Sequence, residues 1–279
     1  MLTTAALQVP RDFAGAGPGP VRPDAAFMRD RTLLPALFDD EAPPHAWPGA
    51  TRAAPCVTGV YAITDNGHHA AELFAAGINT VQLRLKRGDG EPEAAWQARL
   101  REQVRAARRP PGATLVLNDH WREALNLGVD FVHLGQEDLL ALSREDRHAL
   151  AEARHGGLRL GLSTHSLWEL ARTVAWAPDY VACGPVWPTL TKAMPWRPQG
   201  LGNLGWWSAM ASAPVVGIGG VLLPEQLAEV AATGAQAGCV VRGLAPGSAH
   251  GADDWLAAWC RGRAGSAPTR APDWPHPSL

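Results

Sequence analysis

Apolar runs rich in β-branched residues alternate with helix-like segments along the middle of the chain. The predicted strands are Val57–Thr64, Thr80–Lys86, Thr114–Asn118, Phe131–Leu134, Leu158–Leu162, Tyr180–Cys183, Val215–Ile218 and Gly238–Val241. The predicted helices are His68–Ala76, Pro92–Ala107, Trp121–Leu127, Ser143–Arg154, Ser166–Ala175, Leu204–Met210, Pro224–Thr233 and Ala252–Cys260. Strands that alternate with helices form parallel sheets through right-handed crossovers. Eight such units predict a single (β/α)8 barrel and favour it over an open doubly wound sheet.

Helix start and stop signals agree with this series. Predicted starts carry a cap residue or a first-turn proline, at Ser143, Ser166, Asn203 and Pro224, and predicted ends fall at Gly77, Gly128 and Gly234. The pattern divides the chain into three parts. Residues 1–55 form a Pro/Gly/Ala-rich N-terminal extension whose one periodic patch is Phe27–Leu37, residues 56–262 form the barrel catalytic domain, and residues 263–279 form a Pro-rich tail.

Composition narrows the class of protein further. The net charge of −2 gives no electrostatic reason to expect nucleic acid or an anionic membrane surface as a partner. No apolar stretch approaches the roughly 20 residues that span a bilayer, and the N-terminus has no secretory pattern. The four cysteines are scattered without a C-x-x-C pair, which favours free thiols in the cytoplasm. The oligomeric state stays open, with a homo-oligomer among the possibilities.

Polar side chains collect where the predicted strands end, which is the functional face of a (β/α)8 barrel. In the second run, Gln82, Arg84 and Lys86 share one face of the strand, and Leu83 and Leu85 share the other. Two cations and an amide that face a barrel interior need an anionic partner. The alternative is a solvated strand end with surface charges.

Two carboxylates follow neighbouring predicted strands. Asp119 comes directly after Asn118, and Asp138 follows the fourth run. Mg2+ takes a few hard oxygen ligands from protein and the remainder from water and substrate phosphates, so this pair predicts a Mg2+ site. The alternatives are a helix N-cap for Asp119 and a turn carboxylate for Asp138.

Three loops have the composition of phosphate sites. After the sixth run, a proline-bounded loop carries Thr189, Thr191 and Lys192. Gly219 and Gly220 follow the seventh run, and the eighth run ends at a turn formed by Val241 and Arg242. Hydroxyls, lysine and backbone N–H groups bind phosphate oxygens, although such loops also serve as plain connections.

From about residue 59 to residue 244 the chain resembles the thiamine-phosphate synthase family, (β/α)8 enzymes of thiamine biosynthesis. The matching segments are Tyr61–Asp65, Gln82–Lys86, Asn118-Asp119, His133–Asp138, Gly161–His165, Gly184–Lys192 and Gly217–Gly220, in the family's order. The resemblance implies that hydroxymethylpyrimidine diphosphate is joined to thiazole phosphate with release of pyrophosphate.

The resemblance also implies residue roles. The diphosphate substrate would be held by Gln82, Arg84, Lys86, Asn118, Ser163 and Lys192, of which Arg84, Lys86, Lys192 and Ser163 would be catalytic. Mg2+ would be held by Asp119 and Asp138, and the thiazole phosphate by Thr189, Thr191, Gly220, Val241 and Arg242. The chain departs from the family in having Leu85 where Glu is usual and Arg242 where Ser is usual. Arg242 would either contact the thiazole phosphate or turn outward.

Two other functions are compatible with this fold. A thiazole tautomerase has a similar barrel, uses a histidine and binds no diphosphate, so the set of cations at Arg84, Lys86 and Lys192 argues against it. A non-catalytic phosphate-ligand binding protein would have less need of two metal carboxylates. His165 is a candidate base, although a histidine at a helix start is more often structural.

Overall fold

The computed structural model describes residues 57–189 and 197–265. Within them lie eight strands: β1 (Gly59–Thr64), β2 (Thr80–Leu83), β3 (Thr114–Asn118), β4 (Phe131–Leu134), β5 (Arg159–Thr164), β6 (Tyr180–Cys183), β7 (Val215–Gly217) and β8 (Ala237–Val240). The helices of the same part are α1 (Gly67–Ala75), α2 (Glu93–Ala106), α3 (Trp121–Leu127), α4 (Gln136–Ala141), α5 (Arg144–His155), α6 (Leu167–Trp176), α7 (Gly200–Met210), α8 (Pro224–Ala232) and α9 (Ala252–Ala264). A short 3-10 turn spans Arg242–Leu244.

The strands form a closed parallel barrel in sequence order, which confirms the predicted fold. β1 closes the barrel by pairing with both β2 and β8, with Tyr61 opposite Thr80 on one side and opposite Cys239 on the other. The patch predicted at residues 27–37 and nearly all of the two predicted terminal segments lie outside the described residues. No helix in the described part of the chain is long and apolar enough to cross a membrane.

The structure corrects three details of the predicted elements. β2 ends at Leu83, so Arg84 and Lys86 belong to the following loop. The connection after β4 contains an additional helix, α4, and Asp138 is its third residue. Asn203 lies inside α7, where its amide donates to Gln199 Oε1 at 2.8 Å, because that helix already begins at Gly200.

Strand alternation divides the core into two layers. Leu83 and Leu85 are buried in the large outer layer between strands and helices. The smaller inner layer fills the barrel and includes Tyr61, Phe131 and Tyr180. Residues at alternate positions therefore point into the barrel, and those that follow the inner layer toward the strand ends reach its mouth.

Candidate active site

The charge of Arg84 reaches the mouth of the barrel from the loop that follows β2. Its backbone N–H donates to Thr64 O at 2.8 Å, which extends the β1–β2 ladder by one bond. Burial is the largest influence on three nearby groups: it raises the pKa of Asp119 and of Cys239 and lowers that of His133, and the Arg84 guanidinium favours a lower pKa at all three. Arg84 is thus close to both the carboxylate side of the mouth and the interior of the barrel.

The loop around Lys86 is held by side chains from two helices. His120 Nε2 donates to Leu85 O at 3.2 Å, and Arg99 Nη2 donates to Lys86 O at 2.8 Å. Arg99 also pairs with Glu91 through Nε at 2.9 Å and Nη2 at 2.7 Å. The backbone that carries the exposed Lys86 is therefore anchored although its side chain faces solvent.

Asp119 and Asp138 lie in contact, with their carboxyl groups hydrogen-bonded to each other. Burial, and after it the adjacent Asp138 carboxylate, raises the pKa of Asp119 from 3.8 to about 6, against the opposing influence of His120 and Arg84. Asp119 has a φ of 65°, a left-handed conformation that Asp tolerates better than most residues. It does not cap α3, because the N-cap of that helix is His120.

A buried chain of hydrogen bonds crosses the interior beneath the mouth. Gln82 Nε2 donates to Tyr61 Oη at 2.9 Å, and the hydroxyls of Tyr61 and Tyr180 are 2.8 Å apart. His133 contacts Tyr180 Oη through Nδ1 at 2.8 Å and Ser163 Oγ through Nε2 at 2.9 Å. Burial lowers the pKa of His133 from 6.5 to about 3, so its ring is neutral. Gln82 and Ser163 are joined by this chain.

The backbone of Ser163 is fixed by a second contact. Gln136 Nε2 donates to Ser163 O at 2.7 Å, while Gln136 Oε1 accepts from the buried Arg172 at 2.9 Å. His165 Nδ1 lies 2.9 Å from Glu169 Oε2, and that oxygen also accepts the His165 N–H at 2.6 Å. His165 is therefore held as a hydrogen-bonded residue at the start of α6.

The Gly219-Gly220 turn packs tightly against the loop after β6. Val186 N–H donates to Ile218 O at 2.8 Å, and Trp187 N–H donates to Gly219 O at 3.0 Å. Gly219 and Gly220 have φ values of 94° and 75°. A Cβ on Gly220 would lie 2.5 Å from Trp187 Cβ, so only glycine fits there.

The remaining phosphate-loop residues occupy different environments. Val241 packs on the inner apolar layer, and Arg242, at the start of the 3-10 turn, is exposed. His69 Nε2 donates to Leu244 O at 2.8 Å and so ties the end of that turn to α1. Thr189 is partly buried at the edge of the described part. The other two residues predicted in its loop, Thr191 and Lys192, lie outside the described residues.

Tyr61, His133 and Tyr180 were not predicted as site residues. Each lies in an apolar run, where an aromatic side chain is usually part of the core. A signal was present in the sequence, because strand parity places Tyr61 and His133 on inward positions as it does Gln82. Inward polar groups require partners inside the barrel, and here Tyr61 contacts Gln82 while Tyr180 contacts both Tyr61 and His133.

Comparisons with known proteins agree on one family. The family model described as thiamine monophosphate synthase matches residues 57–244. A thiamine-phosphate synthase of Rhizobium etli is 42% identical over 204 residues, which cover 71% of this chain and 93% of that protein. One from Neisseria meningitidis serogroup B is 41% identical over 185 residues, which cover 66% and 85%.

A solved structure shows the same barrel. The thiamine phosphate pyrophosphorylase from Pyrococcus furiosus has a TM-score of 0.54 and 26% sequence identity to this chain. The match covers 74% of this chain and 94% of the archaeal one. Sequence and fold thus lead to the same relatives.

Proposed function

The chain belongs to the thiamine monophosphate synthase family and is a transferase that forms thiamine phosphate. We propose which of its residues bind each substrate and which assist the reaction. The substrates are hydroxymethylpyrimidine diphosphate and thiazole phosphate, and pyrophosphate is released. The observation that supports this assignment of roles is that Arg84 acts on groups on both sides of the barrel mouth. Its charge acts on Asp119 on one side and on His133 of the interior on the other, and we place the diphosphate and its pyrimidine between them.

We assign positively charged side chains to the diphosphate half of the site, beside the carboxylates of Asp119 and Asp138. Arg84 and Lys86 come from the β2 loop, and we assign Lys192 to the same group. Arginine can form two parallel bonds to phosphate oxygens, whereas lysine acts as a movable point charge. Asn118, buried at the end of β3, and Ser163 complete the set that holds this substrate.

Asp119 and Asp138 fit a Mg2+ ion. Burial and, after it, the adjacent Asp138 carboxylate raise the pKa of Asp119 to about 6, so a cation between the two groups would relieve their repulsion at neutral pH. Two carboxylates with open positions suit an ion that also takes substrate oxygens and water. The chemistry supplied by bound Mg2+ would be charge neutralisation on the diphosphate.

The reaction needs a charged leaving group and an oriented acceptor. The carbon–oxygen bond between the pyrimidine methylene and the diphosphate breaks, and its electron pair leaves with pyrophosphate. The resulting cation is stabilised by the electron-rich aminopyrimidine ring, and the thiazole nitrogen forms the new carbon–nitrogen bond with its lone pair. Arg84, Lys86 and Lys192 act most strongly as charge grows on pyrophosphate, so they lower the barrier rather than only bind substrate.

The thiazole phosphate is assigned to the opposite side of the mouth. Thr189 and Thr191 would supply hydroxyls, and the turns at Gly220 and at Val241-Arg242 would supply backbone N–H groups. The close contact between Gly220 and Trp187 supports this role, because it fixes the turn whose N–H groups would face the anion. Fixing this phosphate would orient the thiazole nitrogen for attack.

Pyrophosphate release and steady-state kinetics test the proposal. Arg84→Ala and Lys192→Ala should each lower kcat at saturating substrates by on the order of 10²–10³, the usual cost of losing one preorganised charge contact. Arg101→Ala, on the exposed side of α2, is the matched control and should keep wild-type kcat. Unchanged kcat with a raised KM alone would reduce both residues to substrate holders and would contradict the assigned roles.

We also propose a cytoplasmic location and leave a homo-oligomer as the assembly to be tested. Cys183 and Cys239 are free and buried, and Cys260 is free and exposed, which suits a reducing compartment. Sedimentation of the purified protein measures the assembly directly, and a monomer at all concentrations would exclude the homo-oligomer.

A further inference from the structure

Helix α6 is buried around its whole circumference. Every residue from Glu169 to Trp176 is buried, and four successive helical residues already complete a full turn. Helix α2 of the same outer ring is different, because along its length it buries only Trp96 and Leu100. A helix on the outside of a barrel normally buries one face and exposes the other. The outward side of α6 must therefore be covered.

The apolar side chains of α6 belong to two separate clusters. Leu170 and Trp176 pack in the large outer layer between strands and helices. Ala171 and Val174 form a cluster of their own, and Trp168 packs against it. These last three residues, the α6 patch, follow one another at a spacing of three and so share one side of the helix. Among the described residues, no other element contributes an apolar side chain to this cluster.

The helix cannot cover this patch by itself. Ala171 is only 6% exposed and Val174 only 3%. Neighbours on one helix face lie side by side, so they shield one another only in part, and an exposure this low requires further atoms above them. The exposures are those of a single chain, so a second copy is not the cover. The apolar cover must come from residues 1–56, 190–196 or 266–279, which lie outside the described part.

Residues 1–56 contain the segment best suited to the α6 patch. Six large apolar side chains lie within residues 27–38: Phe27, Met28, Leu33, Leu34, Leu37 and Phe38. Residues 39–56, which connect this segment to the barrel, can extend up to about 60 Å, whereas a domain of this size is roughly 40 Å across. Residues 27–38 can therefore reach α6 from the start of β1.

The two other parts of the chain suit the patch less well. Residues 266–279 contain two large apolar side chains, Trp274 and Leu279, in a sequence interrupted by four prolines. Residues 190–196 are attached at both ends to the loop after β6, so they extend at most about 14 Å from the barrel mouth. Val174 lies about 9 Å further along α6 than Trp168, in the direction away from the mouth. A loop at the mouth therefore suits the start of α6 better than the whole patch.

We propose that residues 27–38 pack on the α6 patch and hold the N-terminal extension against the barrel. The contact removes two apolar surfaces from water, which is the usual driving force for such docking. It also stabilises a helix next to the candidate active site. In the first turn of α6, Glu169 accepts the His165 N–H at 2.6 Å, two residues after Ser163 at the end of β5.

Hydrogen exchange of the full-length protein is the first test. Leu34→Ser combined with Leu37→Ser should speed exchange of the backbone N–H groups of α6 by about tenfold or more and leave those of α2 at the wild-type rate, because loss of the cover allows local opening. Leu7→Ser is the matched control, since it removes a leucine of the extension outside residues 27–38. Unchanged exchange in α6 of the folded double variant would overturn the proposal.

A double-mutant cycle in urea is the second test. Leu34→Ala should lower the unfolding midpoint by less in a Val174→Ala background than in wild type, because the two residues belong to one contact. Val230→Ala, in the main core, is the control, and its effect should add fully to that of Leu34→Ala. Full additivity with Val174→Ala would overturn the proposal. Coupling of Val174→Ala to Trp196→Ala or Trp274→Ala instead would assign the α6 patch to another segment and would overturn it as well.

Discussion

Removing the charge of Asp138 should stabilise the metal-free protein at alkaline pH. In the unfolded chain Asp119 ionises near 3.8, whereas in the folded protein its pKa is about 6 because of burial and the adjacent Asp138 carboxylate. Between these values the folded state binds more protons than the unfolded state, so the free energy of unfolding falls as pH rises through this window. Asp138→Asn removes the repulsive part of this effect.

The magnitude follows from the pKa. A rise from 3.8 to about 6 corresponds to an upper limit of about 3 kcal/mol, at about 1.4 kcal/mol per pH unit. Solvent screening of a partly buried carboxylate lowers this to roughly 1–2 kcal/mol, and burial accounts for the larger part. Asp138→Asn should therefore raise the free energy of unfolding by about 0.5–1 kcal/mol at pH 8 and by much less at pH 4.

Urea unfolding in a chelating buffer at both pH values measures this difference, with the exposed Glu102→Gln on α2 as the control for loss of one negative charge. Mg2+ should reverse the order, because an ion at 100 times its Kd stabilises wild type by about 2.7 kcal/mol and the variant by less. If Asp138→Asn were no more stable than wild type at pH 8 without Mg2+, the repulsion between the two carboxylates would be refuted. If Mg2+ stabilised both proteins equally, the pair would not be the metal site.

Two further predictions concern the loops at the mouth. Gly220→Ala should lower the Tm and raise the KM for thiazole phosphate, because the new Cβ would lie 2.5 Å from Trp187 Cβ. Gly90 is the control, because it has a similar φ of 71° and nothing within 4 Å of an added Cβ, so Gly90→Ala measures the backbone cost alone. Equal losses of Tm in the two variants would contradict the packing argument. Arg99→Met should raise the KM for the diphosphate substrate several-fold, since Lys86 O loses its partner, and an unchanged KM would show that Arg99 does not position Lys86.

The barrel was predictable because its signal is local. Each strand is a short apolar run with polar residues on both sides, and the alternation of faces along the second predicted strand correctly placed Leu83 and Leu85 in the outer layer. α4 was not predictable in the same way. Its six residues, Gln136–Ala141, are too few for helical periodicity and have no side-chain cap.

The candidate site was predictable as a set of strand ends, but its contacts were not. Which inward groups meet depends on the register of strands far apart in sequence. Tyr61 and Tyr180 touch across 119 positions, and no local pattern encodes that distance. The left-handed backbone at Asp119, with a φ of 65°, is a further feature that the alternation of apolar and polar residues did not predict.

The two ends of the loop after β6 lie beside each other and are joined by backbone hydrogen bonds. Trp187 N–H donates to Gly219 O, while Gln199 N–H and Gly200 N–H donate back to Pro185 O and Val186 O at 2.7 and 2.9 Å. Residues 185–187 are thus bonded through their backbone to residues 199 and 200 and to Gly219. Doubling the length of such a loop costs only about 0.6 kcal/mol in closure entropy. Because the anchoring bonds join backbone groups, we expect that side chains between them can be exchanged without disturbing the register of the barrel, and that such changes alter the preference for the acceptor substrate if the proposed thiazole phosphate site is correct.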